Sequence, residues 1–298
     1  MTLTIGDSDE YLGRFRFDRT PVYFGFSSLD ALTDHIENMP LPADKDARAG
    51  WDASPGFAGS ASMTSAILTA RTGWQEGLER AEAIAADLAA EYPRKPARTH
   101  SVAGASVNVG RLLAGSPAHM RRNVQTEGKR VITLFLENSA SAGIDREILI
   151  TRAAIIAAVC DILENRGHSC EIVSLITTCL DDVDGEQLAC QTAVKVKNAG
   201  ERLNLANAVF AMGHPSFQRR FRFALVGSVA RLRTIWRNQG YPASAFSLQH
   251  RPGPNEFYFP MIQMRDLEKV DTGSTREMFD FVTPKNLRIM LDDQSLSM

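Results

Sequence analysis

One apolar segment constrains the fold of this chain more than any other feature. Residues 131–136 form a continuous apolar run of strand length, which is typical of a strand buried on both faces of a sheet. A turn leads into a helix over 145–165, whose apolar residues recur with a period of 3.6, and Gly167 supplies a helix stop. A second strand follows at 169–176. This unit predicts two parallel strands that are joined by one covering helix.

The chain after the second strand adds a hairpin. Residues 181–186 form an acidic turn, and residues 190–197 alternate between apolar and polar side chains. Lys195 and Lys197 on that strand are typical of an exposed sheet edge. We therefore predict an α/β fold with a three-layer, doubly wound, mostly parallel sheet and one antiparallel edge strand.

The first part of the chain is expected to be mainly helical. Its predicted elements are a strand at 21–26 and helices at 28–37, 60–71 and 75–91. Polar residues before the first buried strand are typical of a connector. The predicted division is a mainly helical N-terminal region over 1–125 and an α/β domain over 126–298.

The composition excludes several classes of protein. A net charge of −2 and a pI near 6.3 predict no global attraction to nucleic acid or to an anionic membrane. No segment reaches the roughly 18 apolar residues of a membrane span, and no signal peptide is recognisable. A cytoplasmic protein is expected. The four cysteines form no CxxC pair and are predicted to be buried thiols; they are Cys160, Cys170, Cys179 and Cys190.

A polar loop follows the predicted strand 131–136 at its carboxyl end. It begins with Glu137 and contains Ser139 and Ser141. Ligands of open α/β sheets bind outside the carboxyl ends of the strands, so this loop lies where a ligand would be expected to bind. Alternatively, the serines cap the following helix and Glu137 is only a polar strand end.

The loop and the order of strands and helices resemble the von Willebrand factor A domain, which carries Asp-x-Ser-x-Ser at this location. The resemblance implies that Glu137, Ser139 and Ser141 help to hold Mg²⁺, which then takes a carboxylate from a protein partner. Glu in place of Asp lengthens the ligand arm by about 1.5 Å. The family also has a Thr after the return strand, where this chain has Asn198 and Asn204.

Residues 217–238 form a local basic segment without any acidic residue. Arginine binds phosphate groups in a bidentate manner, and Trp236 or Phe217 could add base stacking. The segment is a candidate contact surface for nucleic acid or phosphate. Its six arginines are Arg219, Arg220, Arg222, Arg231, Arg233 and Arg237. Alternatively, they form a solvated helix face that pairs with acidic residues of 181–186 or 291–293.

No complete catalytic motif can be assigned in the chain. His214 could act as a general base, but no Ser or Cys with an orienting acid accompanies it. The alternative is a histidine at a helix boundary. An enzymatic activity is therefore not predicted.

Several short phrases resemble, in their joint order, an uncharacterised family that is encoded mostly by tailed bacteriophages and prophages. They are 57–60 (FAGS), 73–77 (GWQEG), 113–117 (LAGSP), 131–141 and 213–220 (GHPSFQRR). The resemblance implies a phage-encoded protein with a von Willebrand A-like core. It implies no activity and no catalytic residues.

These observations predict a phage-encoded, non-enzymatic interaction protein that binds a protein partner through a von Willebrand A-like domain. The alternative is an accessory factor that binds nucleic acid through the arginines of 217–238. No membrane association is expected, and Mg²⁺ is the candidate cofactor.

Overall fold

The computed structural model describes most of the chain. The described residues are 3–11, 15–16, 20–92, 98–104, 106–123, 130–140, 143–181, 187–230, 232–233, 243–244, 249–250 and 253–292. Twelve strands are assigned within them, at Leu3–Gly6 (β1), Phe15–Arg16 (β2), Thr20–Phe26 (β3), Arg98–Ser101 (β4), Ser106–Val107 (β5), Met120–Asn123 (β6), Val131–Glu137 (β7), Ser169–Asp181 (β8), Gln187–Lys197 (β9), Ala243–Ser244 (β10), Gln249–His250 (β11) and Glu256–Phe259 (β12).

The helices are interspersed among these strands. The α-helices are Leu29–Glu37 (α1), Ala49–Asp52 (α2), Pro55–Ala58 (α3), Met63–Thr72 (α4), Gln75–Glu91 (α5), Val109–Leu113 (α6), Arg146–Asn165 (α7), Leu205–Gly213 (α8), Phe223–Ser228 (α9), Met264–Leu267 (α10), Thr275–Val282 (α11) and Lys285–Asp292 (α12). A 3₁₀ turn covers Asp46–Arg48, and a π-helix covers Phe217–Arg222 directly before α9.

The main sheet has the strand order β1-β3-β9-β8-β7-β12, and the short strand β10 pairs with the far end of β8. Strands β7, β8 and β12 run parallel to one another, and β1, β3 and β9 form a second parallel group. The two groups meet at the antiparallel β8–β9 pair. The predicted strand–helix–strand unit is confirmed, because β7 and β8 are parallel neighbours joined through α7.

The position of the antiparallel strand differs from the prediction. Strand β9 is interior rather than an edge, because β3 pairs with it in parallel from Thr20 to Phe26. Its lysines do not face open water at an edge. Lys195 forms ion pairs with Glu10 and Glu171. The buried Lys197 ammonium donates hydrogen bonds to the Glu164 carboxylate and the Cys170 carbonyl.

The helical layer also differs from the three-layer expectation. The buried apolar residues of α1, α4, α5, α7, α8, α9, α11 and α12 all belong to one large cluster, on the face of the sheet that carries Phe24 and Leu134. The opposite face carries a small second cluster that includes Tyr11, Tyr23 and Phe135. Within the described part of the chain, no helix contributes buried residues to that second cluster.

Helix α7 is the centre of the helical layer. Asp145 caps its first turn by accepting a hydrogen bond from the Glu147 amide (2.8 Å), and Gly167 ends the helix with a φ of 93°. Helix α5 packs against α7 and α8, and strands β1 and β3 join the same sheet as β7 to β9. Elements from both sides of residue 125 therefore share one core.

A second, small sheet stands apart from this core. Strands β4, β6 and β5 form it in that order, with antiparallel pairing, and α6 lies between β5 and β6 in the chain. Among the described helices, none is both long and apolar enough to cross a lipid bilayer.

Candidate functional site

The carboxyl ends of β7, β8 and β12 meet at one rim of the sheet, where the sequence places the Glu137 loop. Glu137 ends β7, and both it and Ser139 are buried. Thr177 lies near the end of the neighbouring strand β8 and is also buried. The rim is thus a polar site inside the protein rather than an open ligand-binding edge.

Glu137 is fully engaged by its neighbours. Its Oε1 accepts hydrogen bonds from the Ser139 amide (3.0 Å), the Ser139 hydroxyl (2.6 Å) and the Thr177 amide (3.0 Å). Its Oε2 accepts the Thr177 hydroxyl (2.7 Å). The two bonds from Thr177 tie the end of β7 to β8, so the carboxylate acts as a bracket between two strands.

Two buried arginines lie in electrostatic range of this carboxylate. Arg152 of α7 donates to the carbonyl oxygens of Glu137 (2.9 Å) and Phe259 (3.0 Å), which joins β7, α7 and β12. Burial lowers the pKa of Arg152 to about 10, and the charge of Glu137 opposes that shift. Burial also lowers the pKa of Arg222, and Glu137 again opposes the shift. The two guanidinium groups outweigh the single carboxylate.

This arrangement does not fit a Mg²⁺ ion. A hard cation needs several oxygen ligands with free lone pairs and a local excess of negative charge. Here the carboxylate of Glu137 already accepts four hydrogen bonds, and two cationic side chains approach it. Ser141, the third predicted ligand, lies outside the described residues. The described residues instead form a buried hydrogen-bond network around the carboxylate, with two guanidinium groups in electrostatic range of it.

Two arginines of the basic segment, Arg220 and Arg222, are buried. Arg220 is fully buried and uses all of its donors on the chain from residue 50 to residue 60. Its acceptors are the carbonyl oxygens of Gly50, Trp51, Ala53 and Ser60 and the Ser60 hydroxyl, at 2.7–3.2 Å. No donor of Arg220 remains for an external phosphate group.

The other arginines of the segment are placed differently from one another. Arg219 lies over the Phe57 ring, 4.4 Å from its centroid, and donates to the Phe57 carbonyl (2.6 Å). Arg222 is buried as described above. Arg233 forms an ion pair with Asp44 (3.2 Å). The two remaining members of the set, Arg231 and Arg237, lie outside the described residues. A phosphate-binding surface formed by this segment remains a prediction.

His214 occupies the hydrophobic core. Its ring packs edge-on against Trp74 (4.5 Å between centroids) and stacks on Phe210 (5.0 Å), and its Nδ1 accepts the Ser216 amide (3.0 Å). Burial and the nearby charge of Arg146 lower its pKa to about 4. These contacts are those of a structural histidine at the end of α8.

The small sheet and α6, residues 98–123, present the most unusual surface of the molecule. We call these residues the basic module. None of its described side chains is buried. It carries five of the large hydrophobic side chains that are exposed on the described surface, at 41–83% exposure, namely Val102, Val107, Val109, Leu112 and Leu113.

The charged side chains of the basic module are all basic. Between Arg98 and Asn123 the sequence has four arginines and two histidines, and it has no Asp or Glu. The segment also has no Phe, Tyr or Trp. Exposed apolar side chains in a segment whose charged side chains are all basic are typical of an interaction site rather than of a monomer's ordinary surface.

Sequence reasoning missed this module because its strands are short, at two to four residues each. A signal was present, since 26 consecutive residues without one acid are unusual in a chain with 35 acidic residues. A cluster of Cys160, Glu164 and Cys170 at the far end of α7 was also missed. Its sequence signal is the i, i+4 spacing of Cys160 and Glu164 before the turn into β8.

One family model, described as a domain of unknown function (DUF7192), matches residues 19–283 of the chain. No curated protein and no solved structure matches it.

Proposed function

We propose that this chain, which belongs to the DUF7192 family, is a non-enzymatic interaction protein that binds an acidic protein partner through the basic module. The observation that carries the proposal is the module's exposed apolar surface within a segment that has arginines but no acids. The described side chains of the module are all at least partly exposed and form no core of their own, and a partner that covers Val102, Val109 and Leu113 would supply one.

A protein fits this surface better than a nucleic acid does. Protein–DNA interfaces are more polar than protein–protein interfaces, and single strands bind on aromatic platforms. The basic module has no aromatic residue, whereas Leu113 and Val102 are 83% and 72% exposed. A membrane surface fits less well because α6 has only five residues, too few for an amphipathic helix that lies in the bilayer interface. The arginines select an acidic partner by charge complementarity.

The predicted von Willebrand A-like core and phage origin stay part of the proposal. The parallel β7–α7–β8 unit supports the first, while the interior position of β9 and the cationic surroundings of Glu137 do not. A partner carboxylate would in this case be bound by arginines of the basic module rather than by a metal ion. No described side-chain set supports a catalytic mechanism.

The test compares matched surface variants of the full chain. Leu113→Asp removes an apolar contact from the module, and Leu41→Asp makes the same change at a side chain that is 59% exposed elsewhere. Arg111→Glu and Arg121→Glu each reverse the charge of one side chain of the module, with Arg265→Glu as the control. All are exposed, so each variant should unfold at the temperature of the wild type.

Each protein is used to capture partners from a lysate of the native host with and without nuclease. The captured protein is then purified and titrated in a calorimeter across a salt series. We expect an acidic partner whose affinity falls at least tenfold for Leu113→Asp and for the charge reversals and is unchanged for the controls. The proposal is wrong if binding does not depend on Leu113, if nuclease abolishes it, or if vesicles of anionic lipid bind the module instead.

A further inference from the structure

Two thiols and a carboxylate converge where α7 ends and β8 begins. Cys160 and Glu164 are one helical turn apart on the last two turns of α7, and Cys170 is the second residue of β8. The two sulfur atoms and a Glu164 carboxylate oxygen all lie within 4.8 Å of one another. Within the part of the chain that the structure describes, no other three metal-binding side chains come this close.

The turn between the helix and the strand fixes this geometry. The Gly167 amide donates to the Glu164 carbonyl (2.9 Å), and the His168 amide donates to the Leu163 carbonyl (3.2 Å). These bonds close the end of α7, and Ser169 then pairs with β7. Cys170 is thus brought over the last turns of α7 by the backbone, before any ligand is present.

We propose that Cys160, Glu164 and Cys170 bind one thiophilic divalent cation of the zinc class. Thiolate and carboxylate oxygen are both zinc ligands, and two sulfurs in one site exclude magnesium and calcium, which take oxygen ligands. A tetrahedral zinc site with bonds of about 2.3 Å separates its sulfurs by about 3.8 Å. The distance between the two sulfur atoms therefore has to shrink by about 1 Å at most. A water molecule would complete the coordination.

The charge balance of the site depends on Lys197. Its ammonium group is buried and donates to Glu164 Oε1 (2.6 Å), the Cys170 carbonyl (2.8 Å) and the Asn198 carbonyl (3.2 Å). Without metal, two neutral thiols, one carboxylate and one ammonium sum to zero. With metal, two thiolates, one carboxylate, one divalent cation and one ammonium again sum to zero. Exchange of two protons for one cation therefore leaves no net charge buried.

Lys197 also occupies one of the two oxygen atoms of the Glu164 carboxylate. The hydrogen bonds to this carboxylate from described residues reach Oε1, from the Lys197 ammonium (2.6 Å) and the Cys170 amide (3.4 Å). Oε2 is left for a cation. The partial exposure of Glu164, with 28% of its side chain accessible, gives the metal an entry path past the carboxylate.

Cysteine is ordinarily a protonated thiol at neutral pH. A hydrogen bond with Cys170 and burial raise the pKa of the Cys160 thiol. The cation must displace protons from the site, because only thiolates bind it. Binding is therefore expected to release about two protons per metal ion at neutral pH and to weaken steeply as the pH falls.

The experiment uses the reduced, chelator-treated full chain under anaerobic conditions. Co²⁺ is the spectroscopic probe and Zn²⁺ the competitor. We expect one equivalent of Co²⁺ to produce thiolate-to-cobalt charge-transfer absorption that Zn²⁺ removes. Cys160→Ser and Cys170→Ser should each lose half or more of that absorption, and Glu164→Gln should weaken binding roughly tenfold or more.

Cys190 supplies the matched control. It is also a buried free thiol, with its pKa raised to about 12 by burial, but it lies outside the cluster. Cys190→Ser should leave the absorption unchanged. A second measurement needs no variant: an indicator dye in weakly buffered wild-type protein counts the protons released per Zn²⁺.

Release of about two protons together with the charge-transfer band supports the site. No band and no proton release in the folded wild type overturns it, as does a band that depends equally on Cys190. A disulfide between Cys160 and Cys170 that persists after reduction and prevents metal uptake also overturns it.

Discussion

The Thr177 hydroxyl donates to Glu137 Oε2 (2.7 Å) while the Thr177 amide donates to Oε1 (3.0 Å), so one residue of β8 holds both oxygens of the carboxylate that ends β7. These two hydrogen bonds are those expected of a carboxylate that holds two neighbouring strands together. The carboxylate that sequence reasoning offers as a metal ligand instead fixes the end of β7 against the parallel strand β8, and it offsets part of the charge of Arg152 and Arg222.

This role predicts a stability cost for a nearly isosteric change. Glu137→Gln keeps the shape but removes the charge and places an NH₂ group against the donors of Ser139 and Thr177. Loss of one partner from a buried charged network typically costs about 3–5 kcal/mol. We expect the free energy of unfolding in urea to fall by about 3 kcal/mol. The exposed Glu268→Gln should change it by less than about 0.5 kcal/mol.

An equal loss for both variants would contradict the bracket. So would a wild type that gains stability in millimolar Mg²⁺ while Glu137→Gln does not, because a bound cation raises the stability of the state that binds it.

Arg220 gives a second prediction of the same kind. Its guanidinium holds the carbonyl groups of Gly50, Trp51, Ala53 and Ser60, so Arg220→Met leaves several buried acceptors without a donor. Unsatisfied buried polar groups cost about 1–3 kcal/mol each. A total loss of about 3 kcal/mol or more is expected in equilibrium unfolding.

Arg265→Met is the control for this change, because the Arg265 side chain is 77% exposed. Binding of DNA or RNA by the wild type, lost in Arg220→Met at unchanged stability, would contradict the buried clamp and favour the nucleic-acid role of the basic segment.

Strand β9 was expected at an edge of the sheet and lies inside it. Alternation of Lys195 and Lys197 with apolar residues predicts an edge strand, and the β8–β9 hairpin itself is formed as expected. The lysines are satisfied by acids on other elements, and the second neighbour, β3, comes from about 170 residues earlier in the chain. A local pattern shows which faces of a strand are polar, but it does not show which distant strand will cover its free edge.

The candidate sites show the same difference between features set by local sequence and features set by tertiary contacts. Local features that depend on spacing were predictable, such as Asp145 before α7 and the Gly167 stop. The fate of the arginines was not, because Arg220 and Arg222 are buried by tertiary contacts that override the usual preference of Arg for the surface. The burial of Arg220 is possible because backbone carbonyl groups accept its donors.

The depressed pKa of His214 predicts how stability depends on pH. Its value of about 4 in the folded protein lies below the unfolded value of about 6.5, so the unfolded chain binds more protons between these pH values. Stability from this group is intact above about pH 6.5 and is lost as the pH falls toward 4. Between pH 7 and pH 5 the loss is about 2 kcal/mol.

The measurement is urea unfolding at both pH values for the wild type and for His214→Phe, which keeps a ring between Trp74 and Phe210. The variant should lose about 2 kcal/mol less than the wild type over this range. Burial also lowers the pKa values of His35 and His168, so a residual dependence is expected in both proteins. Equal slopes for the two would show that His214 is protonated in the folded state.

Two glycines with a positive φ differ in how closely they are packed. Gly73 has a φ of +84° and a Cβ added there would lie 2.5 Å from the Cβ of Ala206, whereas Gly115 has a φ of +69° and nothing within 4 Å. Gly115→Ala should cost only the left-handed backbone penalty of about 1 kcal/mol. Gly73→Ala adds a clash where α4 and α5 meet α8, and it places Ala at a φ of 84° and a ψ of 151°, a region essentially limited to glycine; it should cost about 2–4 kcal/mol. Urea unfolding of both variants measures the difference; equal losses would mean that the contact between Gly73 and α8 is not formed in solution.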